Sequence, residues 1–346
     1  MSPSLRVIKP GLLTTVQDFG RPGLQHLGIP VGGALDPISL RAANALLGNA
    51  PDTAALEVAY LGPTLRADAD DVWVAVVGAH AEICVFPDGN AAAARRVAGN
   101  RSFLLRRGEC VRIGALIGGA VVYVAAEGGF AIEPILGSAS TCMRGGFGGI
   151  DGRALIAGDC LPLRQDKAAE RQECELDGID LRAPARFRAI LGPQADYFSP
   201  AETAAFFAAE YTVSHGSDRM GMRLAGRTIK ARSHDIVSDA IAPGAIQVPG
   251  SGQPIVLLAD RQTTGGYPKI ATVISADLPA LGRLAIGATI AFQLVSTEEA
   301  ETARRAHMAA LARIPHLVKP VGLTAEDLAR RLNDNNLIDG FIQAVA

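Results

Sequence analysis

The chain has 346 residues, of which 49% are hydrophobic, and its net charge is −2. This length exceeds what one ordinary core needs and is sufficient for two, and the hydrophobic content excludes wholesale disorder. Because no stretch of clustered lysine and arginine offsets the slightly acidic balance, the sequence argues against nucleic acid as a partner.

Neither a membrane span nor a secretion signal is predicted. The apolar stretch at residues 113–126 carries no charge, but it is interrupted by glycine and is shorter than the roughly 18–20 residues that a spanning helix needs. Residues 1–7 lack the apolar core of a signal peptide. The 5 cysteines contain no C-x-x-C pair, which is typical of reduced thiols in the cytoplasm. We therefore expect a cytoplasmic chain with no membrane partner.

Short apolar runs separated by turn residues predict many strands. The chain contains 38 glycines and 20 prolines, and these residues punctuate runs rich in β-branched side chains. Four such runs predict buried strands, namely 72–77, 120–126, 186–191 and 255–259. A mainly β fold is therefore expected.

Capping residues predict a smaller number of helices. In chain order, the signals are Asp36 with Pro37, Ser199 with Pro200 and Glu202, Ser296 with Glu299, and Thr324 with Asp327. The first helix should end before Gly48, and the third should be long, polar and extend to about Arg313.

One local pattern occurs four times. A glycine turn precedes alternating inward and outward positions, beginning at Gly108, Gly158, Gly244 and Gly287. Two copies fall in each half of the chain, which is compatible with two related β-barrels and equally with the glycine turns that precede strands in any β protein. The charged segment 165–180 is the best candidate for the connection between the halves.

Several familiar sites are missing from the sequence. It contains neither a P-loop nor a G-x-S-x-G nucleophile motif, and its 6 histidines show no zinc-ligand spacing. The glycine cluster at 145–149 has no βαβ context, so a flexible turn is favoured over a phosphate loop. No metal site is predicted.

Two segments carry more polar groups than a turn requires. Residues 14–23 place two hydroxyls, an amide, a carboxylate and a guanidinium beside turn glycines. Residues 260–269 follow a predicted strand and combine consecutive glycines with Tyr267 and Lys269. Such groups could hold a carboxylate or stabilise the oxyanion that forms when an amide is attacked. The alternative for the second segment is a hydrogen-bonded turn with one solvated lysine.

Blocks of sequence in a fixed order resemble a known family. They are TTVQDFGRPG (14–23), GGALD followed by L-R-x-ANALLGN (32–49), GGFGGIDGRAL (145–155), DRMGMRLAG (218–226) and the long block from GAIQVPGSG to SADLP (244–279). Together they resemble the family called allophanate hydrolase subunit 2, which is also known as the 5-oxoprolinase C subunit, Kip-type antagonist or biotin-dependent carboxyltransferase. The resemblance covers about residues 5–295.

The resemblance implies a particular architecture. It implies two cyclophilin-like β-barrel subdomains, at 1–180 and 181–295, and a short helical tail at 296–346. It also implies two partners, which are an obligate sibling of the allophanate hydrolase subunit 1 type, called the B subunit in 5-oxoprolinase, and a further A subunit.

The implied activity is hydrolysis of a cyclic amide. In 5-oxoprolinase, the subunits together open 5-oxo-L-proline to glutamate, and the complex uses ATP without a covalently bound cofactor. Gly32–Asp36 favours this branch, since urea carboxylases tend to have Ser-Gly-Pro-Met-Asp there. The alternatives are half of a biotin-dependent carboxyltransferase of urea-carboxylase type, the only case that involves biotin, and a Kip-type regulatory binding module.

We expect the two polar segments to converge in one cleft. The candidate catalytic residues are Lys269 and Arg261, as electrostatic partners of the substrate, and Asp260, which would orient Arg261 or act as a base. The candidate substrate-binding residues are Asp18, Arg21, Asn44, Glu57, Thr263, Thr264, Gly265, Gly266 and Tyr267. The alternative is that Asp260 and Arg261 form a structural ion pair. Arg283 stands where the family usually has glutamine.

Overall fold

Strands dominate the chain, which a computed structural model describes over residues 2–322. The strands of the described residues are β1 Ser4–Lys9, β2 Leu13–Gln17, β3 Ala55–Ala59, β4 Thr64–Ala67, β5 Asp71–Pro87, β6 Arg95–Val97, β7 Arg101–Arg106, β8 Glu109–Ala126, β9 Cys160–Pro162, β10 Cys174–Leu176, β11 Phe187–Leu191, β12 Glu210–Val213, β13 Gly221–Gly226, β14 Asp239–Ala240, β15 Ala245–Gln247, β16 Ile255–Leu257, β17 Thr264–Gly265, β18 Lys269–Val273, β19 Thr289–Leu294 and β20 Val318–Pro320. The helices are α1 Pro37–Leu47, α2 Pro200–Ala208, α3 Leu278–Gly282 and α4 Thr297–Arg313. The mainly β prediction is confirmed.

Ten strands of the first half of the chain form an 11-stranded sheet together with β20. Its main path runs β20-β10-β7-β5-β8-β4-β1-β9, with β6 paired to β5 and β2 joined through β3. The long strands β5 and β8 pair antiparallel from Val74 opposite Ala126 to Pro87 opposite Glu109. Irregular register between Gly78 and His80, and again between Ala81 and Ile83, marks bulges, which bend such a ribbon.

The inner parts of β5 and β8 are buried on both faces. Val74, Val76, Val122 and Val124 belong to the core enclosed by the sheet. The intervening side chains, among them Trp73, Ala75, Val121 and Tyr123, pack instead with the apolar face of α1. Since successive side chains of a strand point to opposite faces, a strand covered on both sides has an unbroken apolar sequence. This is why the runs at 72–77 and 120–126 show no alternation.

The second half of the chain forms a closed barrel of seven strands. The order is β11-β18-β15-β16-β13-β12-β19, and parallel pairing of β11 with β19 closes it. Its interior contains Phe187, Tyr211 and Phe292. Phe206 of α2 stacks on Phe292 with ring centroids 5.0 Å apart, so α2 covers part of the barrel core.

Three of the predicted helices are confirmed, together with their caps. The Asp36 side chain accepts from the Ile38 N–H, Ser199 accepts from the Glu202 N–H, and Ser296 forms a complete capping box with Glu299. The helix predicted to start at Thr324 and Asp327 lies outside the described residues. Helix α3 was not predicted, because it spans only 5 residues and its Asp277 makes no side-chain cap.

The repeated glycine pattern marks strand starts in both halves. The four glycines have φ values of 79° at Gly108, 94° at Gly158, 79° at Gly244 and 85° at Gly287, a left-handed region that favours glycine. Strands β8, β9, β15 and β19 follow these turns.

The segment at 165–180 is more than a connection, because it is bound to the first sheet. Strand β10 lies within it and pairs with β7 and β20. The Trp73 indole N–H donates to the Ala169 carbonyl oxygen at 2.9 Å. The chain after α4 therefore returns to the first half through β20. None of the helices in residues 2–322 is long and apolar enough to cross a membrane.

Candidate functional site

The two halves of the chain meet where strand β16 ends. The Gly32 N–H donates to the Ala259 carbonyl oxygen at 3.2 Å, so the loop before α1 contacts the loop that follows β16 of the barrel. A methyl group placed on Gly32 would lie 3.5 Å from Arg21 Nη1 and 3.6 Å from Asp260 Oδ1. The first polar segment therefore comes close to the beginning of the second.

Arg219 is the centre of this junction, and it is a residue that the sequence analysis did not select. Its side chain is 6% exposed and forms an ion pair with Glu57 from the first sheet. It also holds the Asp260 carboxylate at two positions, with Nε–Oδ2 at 2.8 Å and Nη2–Oδ1 at 3.0 Å. Nη2 further donates to the Gly33 carbonyl oxygen at 2.6 Å. One buried guanidinium thus ties three chain segments together.

The charges at this junction are fixed by their neighbours. Burial opposes the charged form of Arg219, but the Glu57 and Asp260 carboxylates outweigh this effect and raise the pKa of Arg219 above its ordinary value. Burial, followed by the charges of Glu57 and Asp36, raises the pKa of Tyr123 well above its ordinary value. Tyr123 therefore stays protonated and donates its O–H to Glu57 Oε2 at 2.5 Å.

Arg21 places a second guanidinium beside this network. The side chain is 1% exposed, lies over the Phe147 ring at 4.9 Å and donates through Nη2 to the Ser140 carbonyl oxygen at 2.6 Å. Its Nη1 is buried and has no hydrogen-bond partner among the described residues. Arg21 therefore has a buried, charged donor close to Gly32 that no described residue uses.

Asp18 and Asn44 organise the surrounding loops. The Asp18 carboxylate accepts from the Gly20 N–H at 2.7 Å, from the Ala139 N–H at 2.7 Å and from the hydroxyls of Ser138 and Ser140 at 2.6 and 2.5 Å. Asn44, on the inner face of α1, donates to the Thr53 carbonyl oxygen at 2.7 Å. Both side chains therefore use their polar atoms within the protein.

Arg261 is not paired with Asp260. Its Nε and Nη1 donate to the carbonyl oxygens of Ile241 and Leu258, both at 3.2 Å. Burial lowers the pKa of Arg261, and no carboxylate within residues 2–322 forms an ion pair with it. The expectation that Asp260 orients Arg261, and the alternative of a structural pair between them, are both replaced by the pairing of Asp260 with Arg219.

Lys269 lies in a separate polar group at the start of β18. It is 1% exposed, so it is not the solvated lysine of a simple turn. Its Nζ is 3.2 Å from Asp239 Oδ2. Gln194 donates to the same Oδ2 at 3.1 Å, and the Gln194 amide and Lys269 ammonium together lower the pKa of Asp239.

The remaining predicted residues surround Asp239 and its strand. Thr264 and Gly265 form β17, which pairs with β14 at Ala240 and Asp239. The Thr263 carbonyl oxygen accepts from the Ile241 N–H at 3.0 Å, and the Gly266 carbonyl oxygen accepts from the Ile236 N–H at 2.9 Å. Tyr267 is 43% exposed. The predicted site thus divides into a group around Arg219 and a group around Asp239 and Lys269.

Arg283 belongs to neither group. Its Nη1 is 2.9 Å from Asp36 Oδ1 at the start of α1. The unusual arginine therefore neutralises the helix-capping carboxylate. No cluster of three or more His, Cys, Asp or Glu side chains in the described chain could hold a metal ion.

Comparisons with known proteins agree on one family. Residues 27–294 match the family described as "Carboxyltransferase domain, subdomain A and B". The chain is 39% identical over 303 residues to the 5-oxoprolinase C subunit of Escherichia coli strain K12, covering 87% of this chain and 94% of the relative. It is 40% identical over 305 residues to the 5-oxoprolinase C subunit of Haemophilus influenzae, covering 88% and 95%.

A solved structure shares the fold over most of the chain. The crystal structure of the K. lactis urea amidolyase matches with a TM-score of 0.81 and 25% identity. The match covers 94% of this chain but 21% of the other, so the present chain corresponds to one part of that larger protein.

Proposed function

The chain belongs to the carboxyltransferase-domain family with subdomains A and B, and from this premise we propose that it is the C subunit of an ATP-dependent 5-oxoprolinase. The observation that carries the proposal is the 39–40% identity to two proteins named as the C subunit of 5-oxoprolinase, which extends over 94–95% of their lengths. A resemblance at full length supports a shared role better than a shared domain does.

The proposed reaction opens the ring of 5-oxo-L-proline. Transfer of the terminal phosphoryl group of ATP to the lactam oxygen would activate the carbonyl carbon and release ADP. Addition of water and departure of the ring nitrogen would give an acyl phosphate, and a second water would release phosphate and glutamate. The transfer of the phosphoryl group and the hydrolysis of the acyl phosphate develop negative charge on oxygen, which fixed cations stabilise.

The buried cations of the chain suit this chemistry. Lys269 is held by Asp239 with its Nζ at 3.2 Å, and Arg261 is buried without a carboxylate partner among the described residues. We propose Lys269 and Arg261 as electrostatic partners of the substrate. Asp260 remains our candidate base, and its carboxylate is oriented by two hydrogen bonds from Arg219.

The partners and location follow from the same proposal. The A and B subunits would complete the enzyme, with the present chain contributing subdomains at 1–180 and 181–295 and a tail at 296–346. The five cysteines are free thiols, which supports a cytoplasmic location.

The experiment is a reconstitution. We would purify the chain alone and together with the subunits encoded beside it, and measure glutamate released from 5-oxo-L-proline with and without ATP. Only the full complex with ATP should release glutamate. Equal release by the isolated chain, or none by the complex, would refute the proposal.

A second function has its own support in the match to the K. lactis urea amidolyase over 94% of this chain. Under this alternative the chain is half of a biotin-dependent carboxyltransferase, and biotin would arrive on a separate carrier. The same complex would then transfer carboxyl groups from carboxybiotin to a urea-like amide and release no glutamate.

A further inference from the structure

A cavity of about 430 Å³ lies between the two halves of the chain and helix α4. Its wall is largely apolar, with Phe19, Leu35, Leu258 and Leu311 among the lining residues. Helix α4 begins at Thr297, beyond the residues 27–294 that match the family. The cavity is therefore built partly from a segment outside the residues that match the family model.

Three arginines line the cavity, and none of its lining residues is an aspartate or a glutamate. Arg41 comes from α1, Arg261 from the loop after β16 and Arg304 from α4. Arg41 lies over the Phe19 ring at 4.6 Å. Within residues 2–322 none of the three forms an ion pair. By contrast Arg305, the neighbour of Arg304, pairs with Glu301 at 3.8 Å.

Arg261 is the strongest evidence that the cavity can accept an anion. The residue is 4% exposed, and its Nε and Nη1 donate only to backbone carbonyl oxygens. Its Nη2 makes no hydrogen bond within the described part of the chain. A buried cation without a counter-ion destabilises a protein unless an anion pairs with it.

We propose that this cavity binds a small organic anion, with its carboxylate or phosphate group against the arginines and its apolar body against the leucines. Guanidinium groups bind both head groups through paired N–H donors. The volume lies at the lower end of the range of about 300–1,000 Å³ found for small-molecule sites. The inference shares Arg261 with the proposed reaction, but it can be tested separately because binding can be measured on the isolated chain.

Four small probes separate the contributions of charge and apolar body. Binding of benzoate, phenyl phosphate, benzyl alcohol and inorganic phosphate to the full-length chain would be measured by ligand-observed NMR titration. At least one aromatic anion should bind about tenfold more tightly than both benzyl alcohol and inorganic phosphate. The tighter of the two aromatic anions identifies the head group. Equal affinity for benzyl alcohol would overturn the proposal.

Neighbouring arginines on α4 provide a matched control. Arg304→Gln should weaken binding of the tighter anion roughly threefold, and Arg41→Gln should do the same. Arg305→Gln removes the same charge from the next position, which does not line the cavity, and should leave the affinity unchanged. Thermal unfolding would establish that each variant is folded. If Arg305→Gln weakens binding as much as Arg304→Gln, the effect is one of general charge and the assigned site is wrong.

Discussion

Arg219, which precedes β13 of the barrel, and Glu57 of the 11-stranded sheet form an ion pair across the junction of the two halves, and both side chains are almost fully buried, at 6% and 4% exposure. Asp260 holds the same guanidinium at 2.8 Å. The two carboxylates come from different halves, so the guanidinium links β3 to the loop that follows β16.

Replacing Arg219 should therefore destabilise the protein strongly. Arg219→Gln leaves Glu57 and Asp260 buried without their shared counter-ion, so the free energy of unfolding should fall by about 3–5 kcal/mol. Denaturant unfolding followed by fluorescence would measure it. Arg182→Gln is the control, because Arg182 and Asp180 form an exposed ion pair in which the side chains are 88% and 59% exposed, respectively. It should change the free energy of unfolding by less than about 1 kcal/mol. Similar losses for the two variants would contradict a special role for Arg219.

The local sequence predicts much of the fold but not the lengths of its main strands. Caps such as Asp36 and Ser296 act through residues two or three positions away, so the sequence shows them directly. Strands β5 and β8 extend to 17 and 18 residues, yet only their inner, doubly buried halves are continuously apolar. The outer halves are held by pairing with each other, which no short window of sequence contains.

The local sequence likewise pointed to some residues of the candidate site and missed others. Polar clusters adjacent in sequence pointed to Arg21 and Asp260, and both side chains lie close to Gly32. Arg219 stands 162 positions from Glu57, and nothing near it in the sequence distinguishes it from other arginines. Asp239 was missed for the same reason, because its partner Lys269 lies on a different strand. Both residues were missed because their partners are distant in the sequence.

Lys269 should be essential for turnover in the assembled enzyme. Lys269→Met keeps much of the side-chain volume but removes the charge, and the rate of glutamate release should fall by about 10²–10³ if Lys269 stabilises the developing oxyanion. Lys230→Met, at an exposed position, is the control and should retain full activity. Gel filtration would establish that both variants still assemble. Near-normal turnover by the Lys269 variant would refute the mechanism.

Asp18 should affect stability more than substrate affinity. Asp18→Ala removes a carboxylate that accepts four hydrogen bonds, so the free energy of unfolding should drop by about 3 kcal/mol. Asp52→Ala, at an exposed position, should have little effect. The measurement is urea unfolding together with KM for 5-oxo-L-proline. A large rise in KM with unchanged stability would instead identify Asp18 as a substrate ligand.

A fall in pH should weaken the ion pair between Arg153 and Asp159, which holds the turn before β9. Hydrogen bonds from Arg153, at 2.7 and 2.9 Å, lower the pKa of Asp159 against the opposing effect of its burial, and the Ile156 N–H lowers it further. A carboxyl whose pKa is lower in the folded state stabilises the fold fully above its unfolded pKa of about 3.9. That stabilisation is lost as the pH falls through the folded pKa.

The difference between the wild-type protein and Asp159→Asn should therefore depend on pH. At pH 7 the free energy of unfolding of the variant should be lower than that of the wild-type protein by about 1.5–3 kcal/mol. This difference should become steadily smaller below about pH 4. Urea unfolding at a series of pH values would measure it. Asp151→Asn is the matched control, because Asp151 also contacts Arg153 but its side chain is 77% exposed. Its free energy of unfolding should differ little from that of the wild-type protein at every pH. A gap for Asp159→Asn that stays constant between pH 7 and pH 3 would show that shape, not charge, makes this contact stabilising.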